Sequence, residues 1–215
     1  MGAPVRPKRL KRITTALQAG VDRGESPGAV VLIARKGKIA CFESVGYRGR
    51  IAEPQIDAAT GKRPPMPDRT SKPNVLSGGG GMVSTAAGYA RFCKFLNKGQ
   101  LDGVRVLSRT TVEYMASDHV PPGARVNNFP VPVLDTKADN GQSFGLGFSV
   151  RVSAGRSPIP GSTGSVGWTG ASGPSFVVDP KEELSAVFLV QNGIAASRAA
   201  YWTMMRALAC QAAGD

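Results

Sequence analysis

Apolar, β-rich segments stand near both ends of this chain, with helix-forming and loop-forming stretches outside and between them. Gly28 to Ala34 is a run of small and β-branched residues, Lys36-Gly37 is a turn signal, and Ile39 to Val45 is a second run with partial alternation, which together predict a β-hairpin. Far downstream come Phe144 to Val152, Gly164 to Thr169, Ser175 to Val178 and Leu184 to Val190, with Asp179-Pro180-Lys181-Glu182-Glu183 as the turn between the last two. Runs this apolar must be covered on at least one face. The order of elements predicts an α/β (α+β) protein whose antiparallel sheet, residues 28–45 and 144–190, is assembled from both chain ends and flanked by the first and last helices.

Those helices are marked by spacing and by caps. Leu10, Ile13, Leu17 and Val21 recur at near-helical intervals, weakened by Gly20 and Gly24. Ser84 is an N-cap for a helix with Ala86, Tyr89, Cys93 and Leu96 on one stripe and Gly99 at its end. Ser108 caps a shorter helix through Val112 and Met115, and Ala195 to Ala212 has few breakers and many good helix formers. Arg50 to Val75 and Asp118 to Gln142 read as loops. At 215 residues, one domain over 1–215 is the expectation.

The formal charge of +12 is spread along the chain after an N-terminal run of Arg6, Lys8, Arg9, Lys11 and Arg12. With no zinc-finger, helix-turn-helix or RNA-recognition pattern to accompany it, it reads as a solvated basic surface and not a specific nucleic-acid site. No apolar stretch has the length of a membrane span, and the N-terminus lacks the apolar core of a secretory leader, so a cytoplasmic protein without a membrane partner is expected. Cys41, Cys93 and Cys210 sit in separate apolar contexts and read as buried thiols; with one histidine, His119, neither a metal site nor a cofactor is expected.

Four segments carry a resemblance: Pro27-Gly28-Ala29-Val30-Val31; Leu76-Ser77-Gly78-Gly79-Gly80-Gly81-Met82-Val83-Ser84-Thr85; Gly167-Trp168-Thr169-Gly170; and Asp179-Pro180-Lys181-Glu182-Glu183-Leu184. In this order they resemble the serine β-lactamases, penicillin-binding proteins and related esterases, and the glycine-rich word before the helix with Tyr89-Ala90-Arg91-Phe92 resembles the esterase branch. The resemblance implies the α/β half of that fold without its helical domain. The missing block would lie between the hairpin and Ser77, with residues 51–75 as a loop bridging an internal deletion.

The family's nucleophile is a serine one helical turn before a lysine, an arrangement that lets the amine take the hydroxyl proton. No serine here has lysine three residues later. Ser71 and Lys72 are the residual candidates, but neighbours on a helix point about 100° apart and do not form that dyad. No tyrosine is followed two residues later by asparagine or serine, and Tyr89 falls on the apolar stripe of its helix. Trp168-Thr169-Gly170 stands where the family has Lys-Thr-Gly, and the resemblance makes the Ala171 N–H an oxyanion donor and Trp168, Thr169, Gly170, Ala171 and Ser172 the substrate-binding groove. One donor does not complete an oxyanion hole. The same triplet reads equally as a tight strand end around a buried Trp. The glycine run after Ser77 lacks a P-loop ending and reads as a close-packed turn, Ser84 reads as a cap before a nucleophile, and His119 lies just past a helix end without an acid or nucleophile nearby in sequence.

Three functions follow. The first is weak or altered hydrolysis of esters, amides or other activated small substrates; the second is a non-catalytic remnant or binding protein. The third is a carboxylate-based hydrolase of glycosides drawing on Glu43, Glu53, Asp57, Asp68, Asp179, Glu182 and Glu183. The expected partners are a small-molecule substrate and a second copy, bound through the face that the missing helical block leaves open.

Overall fold

The computed structural model describes residues 7–24, 26–46, 84–121, 124, 140–157, 159–170, 172–190 and 195–213. Strands β1 (Gly28–Arg35) and β2 (Lys38–Gly46) form the expected hairpin. Its two-residue turn places both Lys36 (φ 51°) and Gly37 (φ 74°) in the left-handed region, which matches the twist of the flanking strands. The Lys36 N–H donates to the Glu183 carbonyl at 2.9 Å, so this turn is tied to the turn before the last strand.

The sheet is assembled from both chain ends. Strands β5 (Gln142–Phe144), β6 (Ser149–Arg151), β7 (Val166–Thr169), β8 (Ser175–Asp179) and β9 (Leu184–Val190) join the hairpin in the order β2-β1-β9-β8-β7-β6-β5, all neighbours antiparallel. The central join is β1 on β9, running from Ala29 opposite Val190 to Arg35 opposite Leu184. Each is apolar on both faces because both faces are covered. Val31, Ile33, Leu184 and Phe188 pack against α1 (Pro7–Asp22) and α4 (Ala195–Ala213), whereas Leu32, Val187, Phe176 and Val178 pack against α2 (Ala86–Lys98). Helices α1 and α4 cross closely: a Cβ on Gly20 would lie 1.6 Å from the Tyr201 hydroxyl, which explains a glycine inside α1.

Several local readings change. Residues 144–152 are not one strand: the chain turns at Gly145 to Phe148, where the Gly145 N–H donates to the Phe148 carbonyl and Gly147 takes φ 102°. A Cβ on Gly145 would sit 2.2 Å from the Met115 carbonyl at the end of α3 (Arg109–Met115), so the run is bent by packing on that helix. The cap of α2 is Thr85, not Ser84; its hydroxyl accepts from the Gly88 N–H at 3.1 Å. Gly99 closes α2 in the left-handed conformation and Ser108 caps α3, both as expected. A two-residue ladder, β3 (Gln100–Leu101) with β4 (Val104–Arg105), joins α2 to α3. Cys41 and Cys93 are buried free thiols, but Cys210 is only partly buried. The loop at residues 51–75 lies outside the described residues. Among those described, no helix is long and apolar enough to cross a membrane.

Candidate functional site

Trp168 and Thr169 end β7, and the chain returns into β8 through a tight turn. The Gly170 N–H and the Thr169 hydroxyl both donate to the Pro174 carbonyl, at 2.8 and 3.0 Å, and the Gly173 N–H donates to the Gly170 carbonyl at 2.9 Å. Gly173 has φ 99°, and a Cβ on Gly170 would meet Pro174 Cγ at 2.8 Å, so both glycines are required by the turn itself. Gly170 and Ser172 are exposed, Trp168 and Thr169 half-buried, so the strand end opens to solvent. Ala171 lies outside the described residues.

Trp168 is wedged between layers. Its ring meets Phe144 edge-on with centroids 5.1 Å apart, and it packs against the buried pair formed by Ile159 and Trp202 of α4. Next to it in register stands Phe176, whose ring meets that of Tyr89 at a tilt with centroids 5.3 Å apart; Phe92 lies 6.3 Å from Phe176 and is 42% exposed. Tyr89 is thus a packing residue of the α2 face, and burial raises its pKa. The Trp168 strand end thus joins a half-buried aromatic side chain to a turn whose backbone groups bond one another.

No nucleophile pair accompanies it among the described residues. No serine hydroxyl there is hydrogen-bonded to a lysine or to His119. Ser71 and Lys72 lie outside the described residues, as does the glycine run after Ser77. Ser84 donates to the Thr85 carbonyl. The His119 ring bonds the Tyr114 carbonyl at 2.7 Å and lies edge-on to the Tyr114 ring, a cap on the end of α3. Ser143 donates to Asp118 with no imidazole between them, so this contact, unforeseen from the sequence, fastens β5 to the segment after α3.

The carboxylates have local work. Asp179 is buried, with Oδ2 accepting from the Ser162 N–H at 2.8 Å and Oδ1 from the Glu182 N–H at 3.3 Å. Glu182 pairs with Arg35 at 3.4 Å, Glu183 with Lys98 at 3.1 Å, and Glu43 is exposed on the edge strand. Glu53, Asp57 and Asp68 lie outside the described residues. No group of three or more His, Cys, Asp or Glu able to hold a metal stands among the described residues. Arg151 and Arg206, for which the sequence carried no expectation, are both buried. Their signal was present: Arg151 alternates with Val150 and Val152 inside an apolar run, and Arg206 follows Trp202 by one helical turn.

The Beta-lactamase family model matches residues 48–211. That is more than half of the chain, and the chain belongs to the Beta-lactamase family. Two curated relatives from Mycobacterium tuberculosis, Uncharacterized protein MT1414 of strain CDC 1551 / Oshkosh and Protein Rv1367c of strain ATCC 25618 / H37Rv, are each 35% identical over 130 residues, covering 59% of this chain and 31% of theirs. The chain therefore spans about a third of the length of the curated relatives it matches. Among solved structures, EstCE1, a hydrolase with promiscuous acyltransferase activity, superposes with a TM-score of 0.63 at 14% identity, over 94% of this chain and 98% of that chain. The LovD9 mutant of simvastatin synthase from Aspergillus terreus gives a TM-score of 0.51 at 20% identity, over 73% of this chain and 40% of that one. These likenesses establish the fold: a mixed α/β architecture shared with serine β-lactamase-like and esterase-like proteins.

Proposed function

We propose that the chain is a hydrolase-family scaffold that binds small ester, amide or otherwise activated substrates along Trp168, Thr169, Gly170, Ala171 and Ser172, and turns them over weakly. The carrying observation is the Trp168 strand end, a half-buried aromatic wall beside a fixed turn, without a serine–lysine or serine–histidine pair among the described residues. Family membership supports the reaction class, and the acyl chemistry printed for EstCE1 supports the choice of activated acyl compounds as probes. A groove without a preorganised nucleophile keeps substrate binding and loses most of the rate, down to about 10³-fold over water.

Non-catalytic binding is the second reading, favoured by serine hydroxyls engaged with backbone or with Asp118. In both readings residues 51–75 bridge the place of a helical block, one domain spans 1–215, and the face that the block would cover, near the Trp168 strand end, receives a second copy. Three free thiols fit a reducing, cytoplasmic setting. The test is turnover of p-nitrophenyl esters by the native chain and by Trp168→Ala. Slow hydrolysis that falls further in the variant supports the groove, whereas rates on the order of 10 s⁻¹, or indifference to Trp168, overturn it.

A further inference from the structure

The exposed cations among the described residues fall into two groups. Arg91 and Lys94 pair with Asp102, Lys98 with Glu183 and Arg109 with Glu113, while Arg105 donates to the Leu107 carbonyl and Arg23 and Arg156 are likewise engaged. Lys11, Arg12, Lys36, Lys38 and Lys181 are exposed and form no ion pair with another described residue.

Far apart in sequence, these unpaired charges stand at one end of the fold. Lys36 lies in the turn between β1 and β2, Lys38 starts β2, and Lys181 lies in the turn between β8 and β9; the 2.9 Å bond from the Lys36 N–H to the Glu183 carbonyl joins the two turns. Lys11 and Arg12 reach the same end because α1 leads into β1 and packs back along the sheet. Arg9 Nη1, beside them, donates to the Gln211 carbonyl at 2.6 Å near the end of α4. Cys210, next to Gln211, meets the Pro160 carbonyl at 3.5 Å, and shortly after Pro160 the Ser162 N–H donates at 2.8 Å to Asp179, where the β8–β9 turn begins. The acidic groups at this end are already engaged. Glu182 pairs with Arg35 and Glu183 with Lys98, Asp179 is buried and accepts from two backbone N–H groups, and Glu43 lies further along β2, opposite Val31. The first turn of α1 has no acidic residue.

We propose that this end of the molecule docks on the anionic surface of a lipid bilayer. Its uncompensated positive charge repels a second copy and attracts acidic headgroups within a Debye length. Readout of nucleic acid calls for a helix or ribbon laid in a groove, or for aromatic side chains that stack on bases. This end has neither among Lys11, Arg12, Lys36, Lys38 and Lys181; its charges come from two turns and the flank of a helix. Ile39, beside Lys38, is 62% exposed and sets an apolar side chain next to lysines whose stems are apolar as well. Such attachment is peripheral and needs no spanning helix. Thr169 pairs with Ser175 at the start of β8, the opposite end of that strand from Asp179, so the candidate groove faces away from the bilayer and stays open.

The test is co-sedimentation of the full chain with vesicles of phosphatidylcholine alone and of phosphatidylcholine with about one third phosphatidylserine. Retention on the acidic vesicles only, weakening as sodium chloride rises from about 0.05 to 0.5 M, is expected. Each basic residue at such a surface raises the partition about fivefold, so Lys36→Gln with Lys38→Gln lowers it about 25-fold, while Arg23→Gln, past the far end of α1, leaves it unchanged. Should circular dichroism show that the double variant does not fold, Lys11→Gln with Arg12→Gln carries the same expectation. Equal retention on neutral vesicles, retention on neither, binding indifferent to these basic residues, or a gel shift of duplex DNA without vesicle binding overturns the proposal.

Discussion

Replacing Leu32 with alanine probes whether the two ends of the chain make one cooperative sheet. Leu32 is fully buried on β1, with Phe42 of β2 on one side, Val187 of β9 on the other, and the α2 cluster above it. Leu→Ala costs about 2–5 kcal/mol, the lost transfer energy plus the cavity left behind. Walled by strands on both sides, this site has little means of collapse, so a loss of about 3–4 kcal/mol is expected. For a chain of this size that lowers Tm by about 10 °C. Both tryptophans, Trp168 and Trp202, lie in the C-terminal part of the chain, far in sequence from the substitution. Urea unfolding read by tryptophan fluorescence and by far-ultraviolet circular dichroism should therefore shift together. A fluorescence midpoint that stays put while the circular dichroism signal splits, or a total loss below about 1 kcal/mol, would refute the shared core.

Cys93 makes the fold sensitive to alkali: burial pushes its pKa up to about 12 from an unfolded value near 9, so the unfolded chain loses this proton first and stability present below about pH 9 falls as pH rises towards 12. By pH 10 the loss relative to neutral pH approaches about 1.4 kcal/mol, and Cys93→Ala should reduce it in urea titrations, leaving the smaller share of the other two raised thiols. Thr85→Ala should cost about 1 kcal/mol through loss of the α2 cap, while Ser84→Ala should be near neutral; equal losses in chemical denaturation would return the cap to Ser84. Sedimentation equilibrium at micromolar concentration should return twice 22.4 kDa, and a single-chain mass would remove the dimer.

The sheet was readable because its central strands β1 and β9 are apolar on both faces and its turns carry strong signals at Lys36-Gly37 and at Asp179 to Glu183. The break between β5 and β6 was not, since Gly145 and Gly147 sit inside an apolar run and the bend depends on the backbone at the end of α3. Thr85 prevailed over Ser84 because two adjacent hydroxyl residues offer the same local chemistry and helix geometry selects between them. The short ladder of β3 and β4 is below the length at which alternation exists as a pattern. The strand end at Trp168 was legible through the family resemblance. The burial of Arg151 and Arg206 was signalled only faintly, by an apolar run around the one and by Trp202 a turn before the other, because a charged residue is ordinarily solvated.

Intact-mass measurement after incubation with a fluorophosphonate tests most directly whether the family chemistry persists without its serine–lysine motif. The proposed groove without a preorganised nucleophile predicts no stoichiometric adduct on any serine over the time in which an active serine hydrolase is fully labelled. One phosphonate per chain, mapped to a single serine, would contradict it and place a working nucleophile in this protein.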